Sequence, residues 1–283
     1  MKKDVGIFEY SRFLIPYRVY GQHEKVIVCV SGAKQTMSAW RSFISYFAKS
    51  YRIIVFDMPG QGRSEILSGS AGVPLSEQVE VLHQLLTHLD ILSCQKRHLI
   101  GGSWGSIVSA AYAEHYPDVF HRIILGSFGT KPNSVLSSII DEVQFCIEQG
   151  RGPEIAPMMI EKFGQYIPDV LKRQIISQFN SMSDQQFLSF YEHSVFVTQL
   201  GDLKQHINLE LIKVPTMVVM GQFDTIMDLF DTKKSTQLIP NGEFLLIKGV
   251  GHFLHWERPE IIPIYESFFE EDNVQKVNLN SAQ

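Results

Sequence analysis

The sequence predicts an α/β fold: a mostly parallel sheet flanked by helices, with a helical cap inserted into it. Three observations carry this prediction. Short apolar runs alternate with amphipathic helical patterns along most of the chain, the signature of strands covered by helices on both faces. A Gly-x-Ser-x-Gly run stands between one such strand and one such helix. The alternation stops for about 80 residues, reads as helix only, and then resumes.

The elements follow in order. Residues 14–20 and 25–30 form an opening pair of strands joined through Gly21, and a helix covers about 37–49 before a strand at 52–56. Residues 75–92 have helical periodicity, with Val79, Leu82, Leu85, Leu86 and Leu89 on one face. The strand ending at Arg97-His98-Leu99-Ile100 leads through the glycine run into a helix at 106–112, and 122–125 is a further strand. From 131 to 209 the chain is helical, broken at Gly150-Arg151-Gly152-Pro153 and Ile167-Pro168-Asp169, which gives roughly four helices. A strand at 216–220, a helix near 229–238, a strand at 243–248 and a helix at 259–269 complete the alternation. Residues 1–129 and 210–270 are thus expected to form the core, 130–209 a cap over the carboxyl ends of the strands, and 271–283 a frayed polar tail.

Bulk properties exclude several classes. The 283 residues suffice for one large α/β domain, and 45% hydrophobic with 19% charged residues is ordinary for a globular chain. A net charge of −5 argues against nucleic acid or an anionic membrane surface as partner. No apolar run approaches the ~18 residues of a membrane span, and no apolar segment follows the first residues as a secretory signal requires. Cys29, Cys94 and Cys146 are scattered and odd in number, which fits free thiols, two of them buried, and a cytoplasmic protein.

Gly101-Gly102-Ser103-Trp104-Gly105 reads as a nucleophile elbow, a strained strand-to-helix turn that lifts a serine Oγ above the sheet. Its flanking glycines are needed where a Cβ would strike the neighbouring strand or helix. Serine needs a base, and the base needs an orienting carboxylate, in the chain order Ser, acid, His for this architecture. Among ten histidines, His252 alone follows a late strand and a glycine turn, Gly249-Val250-Gly251-His252-Phe253, and is the expected general base. His255 is expected to pack. Asp224, directly after the strand at 216–220, is the expected acid. The alternative position, Gly126-Ser127-Phe128-Gly129-Thr130, offers no carboxylate, and Asp228 and Asp231 belong to the next helix or its cap. Asp57 lies in a turn-rich loop and reads as structural. The oxyanion donors are expected at the N–H groups of Trp104 and of Ala33, the latter in Ser31-Gly32-Ala33-Lys34. Lys34 reads as a solvated lysine. No dinucleotide fingerprint or metal-ligand cluster stands out, so no cofactor and no metal is expected.

Together with Asp57-Met58-Pro59-Gly60-Gln61-Gly62-Arg63-Ser64, these segments resemble the α/β-hydrolase superfamily over nearly the whole chain. A serine at the elbow departs from the similar haloalkane dehalogenases and epoxide hydrolases, which carry aspartate there. Within the superfamily the chain is similar to the bacterial 3-hydroxyacyl transferases. The similarity lies in Ser31-Gly32-Ala33, Thr36, Ser38-Ala39-Trp40, Ser103-Trp104-Gly105, Gly164-Gln165-Tyr166-Ile167-Pro168 and Gly251-His252-Phe253-Leu254. Two positions differ: Ser31, where those proteins usually carry Asn, and Ser106, in place of a second glycine. The resemblance implies transfer of a 3-hydroxyacyl group, presented on CoA or an acyl carrier protein, to a hydroxyl or a thiol. An esterase or thioesterase using water has the same triad, and a ligand-binding protein without catalysis is a remote third reading. Phe145, Met158, Met159, Phe163, Phe179, Phe187, Phe190 and Phe196 give the cap apolar surface for an acyl chain, and Lys162, Lys172 and Arg173 are candidate contacts for an acidic carrier.

Overall fold

The computed structural model describes residues 3–131 and 133–271. The chain starts with an antiparallel hairpin, β1 (Lys3–Tyr10) and β2 (Phe13–Tyr20), followed by β3 (Lys25–Val30). A 3-10 turn (Met37–Trp40) leads into α1 (Arg41–Phe47), then β4 (Arg52–Phe56), the two-residue β5 (Glu65–Ile66) and α2 (Leu75–His88). β6 (Lys96–Gly102), α3 (Trp104–His115) and β7 (Arg122–Gly126) form the centre of the molecule. Four helices come next: α4 (Ser134–Glu148), α5 (Ile155–Phe163), α6 (Asp169–Asn180) and α7 (Asp184–Leu200). β8 (Thr216–Gly221), α8 (Leu229–Thr236), β9 (Gly242–Ile247), the short α9 (Leu254–Glu257) and α10 (Ile262–Glu270) complete it.

The nine strands form one sheet in the order β1-β2-β4-β3-β6-β7-β8-β9, with β5 added beside β2. The pairings from β4 through β9 along this path are parallel, and β1 and β2 are antiparallel to their neighbours. Successive side chains of a strand face opposite ways, so both faces must be covered by apolar residues. β3 shows this directly. Val26, Val28 and Val30 join α2 and α3 on one face, while Ile27 and Cys29 join α1 and α10 on the other. All five are fully buried.

The opening differs from the sequence expectation. β1 precedes the strand expected first, and β2 and β3 are not neighbours, because β4 lies between them. β1 escaped notice because it is the outer edge of the sheet. Val5 and Ile7 are exposed there and only Phe8 is buried, so the alternation of a half-buried strand is weak. Of the polar tail, Glu271 takes the Arg122 guanidinium on its backbone oxygen at 2.6 Å, and residues 272–283 lie outside the described residues.

The four helices α4 to α7 have their own apolar cluster, built on Ile139, Val143, Ile155, Phe179 and Phe190. The chain leaves the core at Thr130 and returns at Leu203, and these two residues are joined by a backbone N–H···O=C bond of 2.9 Å. Lys131 and Asp202, the next pair outward, lie 3.4 Å apart.

Candidate active site

Ser103 sits between β6 and α3 with φ 51° and ψ −120°, a conformation that costs a non-glycine residue about 1–3 kcal/mol. The flanking glycines make the turn possible. A Cβ on Gly101 would lie 2.3 Å from the carbonyl oxygen of Gly105, and one on Gly105 would lie 2.2 Å from that of Val30. The turn is braced from both sides: Ser103 N–H donates to the Gly126 carbonyl at 2.8 Å, and Ser106 Oγ donates to the Ser103 carbonyl at 2.5 Å. Ser106, which departs from the similar proteins, is therefore a brace of the elbow.

His252 follows β9 on a loop that bends back over the sheet. Its Nε2 is 2.9 Å from Ser103 Oγ, and its Nδ1 is 2.8 Å from Asp224 Oδ2. The other Asp224 oxygen accepts the N–H groups of Ile226 at 2.8 Å and Met227 at 3.1 Å. Burial alone would raise the Asp224 carboxyl. The His252 charge and hydrogen bond, with the two amides, outweigh it and hold the group below its ordinary value. Burial likewise disfavours a charged His252, but the Asp224 charge and hydrogen bond, with a contribution from Glu257, bring its pKa above the ordinary value. Asp224 thus keeps Nδ1 protonated and Nε2 free to accept from Ser103.

The two backbone N–H groups expected to meet a developing oxyanion stand without a partner among the described residues. Trp104 is the first residue of α3, where backbone N–H groups lack partners within the helix. Ala33 lies on the turn after β3, and both of its neighbours are occupied by glutamines. Gly32 N–H donates to Gln35 Oε1 at 3.0 Å, and Lys34 N–H donates to Gln61 Oε1 at 2.6 Å. Among the described residues the Ala33 and Trp104 amides have no such partner.

The structure also brings in residues that sequence reasoning missed. Glu257 on α9 accepts the N–H of Gly251 at 2.5 Å and of Phe253 at 3.0 Å, the two amides that flank His252. Ser127 Oγ donates to the His252 carbonyl at 2.6 Å. None of these carries a sequence pattern, since a side chain capping a backbone amide leaves no periodicity. The residues expected to be structural are so placed. Asp57 is buried and accepts the N–H of Met37 and of Arg63; His255 stacks on Trp40 at 5.2 Å; Asp228 caps α8 by accepting from Asp231 N–H. Lys34 departs from expectation. It is half-buried, and Nζ donates to the Gln186 carbonyl of α7 at 3.1 Å instead of standing in solvent.

Beside Ser103 lies a cavity of about 160 Å3, walled by α3, the turn at Ala33 and the helices α4, α5 and α7. Met159, Phe163 and Phe190 from the expected apolar set line it. Phe179 and Phe187 pack against Phe190, and Phe145 is exposed beneath Arg151. Lys162 pairs with Glu142 at 2.7 Å and Lys172 with Asp169 at 3.6 Å, so two of the three cap cations have acidic partners within the cap. Among the described residues, no three His, Cys, Asp or Glu side chains group as a metal site, and no helix is long and apolar enough to cross a membrane.

The family model for the alpha/beta hydrolase fold matches residues 25–144 and 163–259. The chain belongs to the α/β-hydrolase family. It is an enzyme of that class by its relatives as well. Over 91% of its length this hydrolase is 21% identical to an "(R)-3-hydroxydecanoyl-ACP:CoA transacylase" of Pseudomonas aeruginosa, 85% of which is covered. Over 94% of its length it is 23% identical to the "Monoacylglycerol lipase ABHD6" of Bos taurus, 83% of which is covered. Among solved structures it is similar to MGS-M2, an alpha/beta hydrolase enzyme from a Medee basin deep-sea metagenome library, with a TM-score of 0.80. That likeness has 23% identity and covers 95% of this chain and 98% of the other.

Proposed function

We propose that this hydrolase is a serine acyl-transfer enzyme acting on a 3-hydroxyacyl or fatty acyl ester or thioester through an acyl-enzyme. The observation that carries the reading is His252, bonded at once to Ser103 and Asp224 at the floor of an apolar cavity. Ser103 Oγ attacks the acyl carbonyl and its proton passes to His252 Nε2. The carbonyl oxygen becomes an oxyanion facing the Trp104 and Ala33 amides, each worth about 10²–10³ in rate for such a donor. Collapse breaks the bond to the leaving alcohol or thiol, which takes the proton from His252. An acceptor then repeats the sequence on the Ser103 ester.

The transacylase relative supports an acceptor other than water, a CoA thiol; the hydroxyl of a second hydroxyacyl group is the acceptor that the resemblance read in the sequence adds. The cavity walls are apolar and contributed largely by the cap, which suits both a hydrocarbon chain and the exclusion of water from the ester. The monoacylglycerol lipase relative supports a second reading, in which water is the acceptor and the free acid is released.

The test is mass spectrometry of products from a 3-hydroxydecanoyl thioester, with the Ser103→Ala protein as control. A transferred thioester or a dimeric hydroxyacyl ester, absent from the control, is the expected result. Free hydroxy acid alone would establish the hydrolytic reading, and identical products from the control would remove Ser103 from the chemistry.

A further inference from the structure

The cavity beside Ser103 is apolar with few exceptions, and one exception is a cation. Lys34 follows Ala33 on the turn after β3, with φ 58°, and both residues line the cavity together with Ser103. Its Nζ donates to the Gln186 carbonyl at 3.1 Å and stands 5.4 Å from the centre of the Phe190 ring, which also lines the cavity. An ammonium carries three donors; Gln186 takes one. Among the described residues no carboxylate lies within ion-pair distance of Lys34. A titratable companion of Lys34 in the cavity wall is His193, edge-on to Trp104 at 4.7 Å. Burial, with Lys34 adding to it, pushes His193 down to about 3, so it is a neutral imidazole. Burial also brings Lys34 down to about 7.

An ammonium turned toward hydrocarbon is costly unless an acceptor meets it. A plain saturated chain supplies none. A hydroxyl oxygen near the carbonyl end of the chain does, and Lys34 shares the cavity wall with Ser103 and Ala33, between which that end would be held. The geometry points to Lys34 as the specificity-determining residue of a polar subsite in the cavity, one that selects acyl groups carrying an oxygen acceptor near the third carbon. This rests on the reading of the cavity as an acyl pocket, and it names the residue that reads the substituent.

The subsite is tested by binding, without turnover. The full chain with Ser103→Ala is titrated calorimetrically at about pH 6, below the value of about 7 to which burial brings Lys34, with 3-hydroxydecanamide and with decanamide. The hydroxylated amide is expected to bind about tenfold more tightly, the value of one hydrogen bond to a charged group. Adding Lys34→Met is expected to bring the two constants together, the loss falling on the hydroxylated amide. Equal constants in the protein that retains Lys34 would overturn the proposal without need of the variant. So would a tenfold preference that survives Lys34→Met, or a parallel weakening of both amides, which is what a merely structural lysine would produce. The nucleophile is checked separately: a fluorophosphonate that fails to label Ser103 in the unaltered protein would refute the acyl-transfer reading and leave the amide comparison valid.

Discussion

Glu257 straddles His252, with one carboxylate oxygen on the amide before the histidine and the other on the amide after it. The loop that carries the imidazole is therefore set by a carboxylate on the following helical turn. Glu257→Ala frees both amides, and the imidazole loses its fixed approach to Ser103. The expected fall in kcat is about 10- to 100-fold, as for other small misplacements of a reacting group. Steady-state kinetics beside a melting curve checks it; an unchanged kcat in a folded variant would remove Glu257 from this role.

Asp224 and Asp228 are separated by four positions and are assigned different work. Asp224→Asn should lower kcat by about 10³- to 10⁴-fold by unsettling the imidazole tautomer. Asp228→Asn, at the cap of α8, should leave kcat within about twofold and cost less than about 1 kcal/mol of stability. If Asp228→Asn is the damaging change, the acid has been misassigned.

The raised pKa of His252 has a direction that kinetics can read. The imidazole must be neutral to accept the Ser103 proton, so activity is lost as pH falls through its pKa. Asp224 favours the protonated form, which places the acid limb of kcat/KM above the ordinary imidazole value of about 6.5. In residual activity of Asp224→Asn the limb should move to lower pH. A limb that stays in place would mean that another group is titrating.

His98 lies in the core between Tyr51 and Phe269, with neither ring nitrogen hydrogen-bonded among the described residues. Burial, with nearby His121 and cations adding to it, pushes its pKa down to about 3. The unfolded chain binds this proton near pH 6.5, so the stabilisation is complete above that pH and is lost as pH falls toward 3. At pH 5 the loss from this residue is about 2 kcal/mol. His98→Phe should reduce the drop in urea stability between pH 7.5 and pH 5 by about that amount. An unaltered drop would show that His98 is not among the groups responsible.

Gln61 fixes the turn of Ala33 through the Lys34 amide. Gln61→Ala should lower kcat about tenfold with less change in KM, because the loosened donor acts on the oxyanion more than on bound substrate. A loss confined to KM would place Gln61 in substrate binding instead.

Much of the fold and the site could be read in advance where a local rule forces a residue type. Gly101 and Gly105 are dictated by backbone oxygens within 2.3 Å of any added Cβ, so the elbow announces itself. Strands such as β3, buried on both faces, form unbroken apolar runs. The misses have a common cause. β1 exposes Val5 and Ile7 at the rim, where burial no longer dictates composition. Gln35, Gln61 and Glu257 act by capping amides brought near by the fold, which no spacing encodes. Lys34 looks like any surface lysine until α7 is laid across it.

The bond between Leu203 and Thr130 gives the cap a seam. The segment from 131 to 202 is a cassette whose two ends already touch, and no strand of the sheet lies among its described residues. Exchanging such a cassette leaves every strand pairing in place, but its Asn133 and Lys162 also hold Thr225 and Ile226 beside Asp224, and lengthening it adds little closure entropy. A different pocket over the same sheet would therefore need recombination at only two residues already in contact, together with new partners for the two residues that follow Asp224.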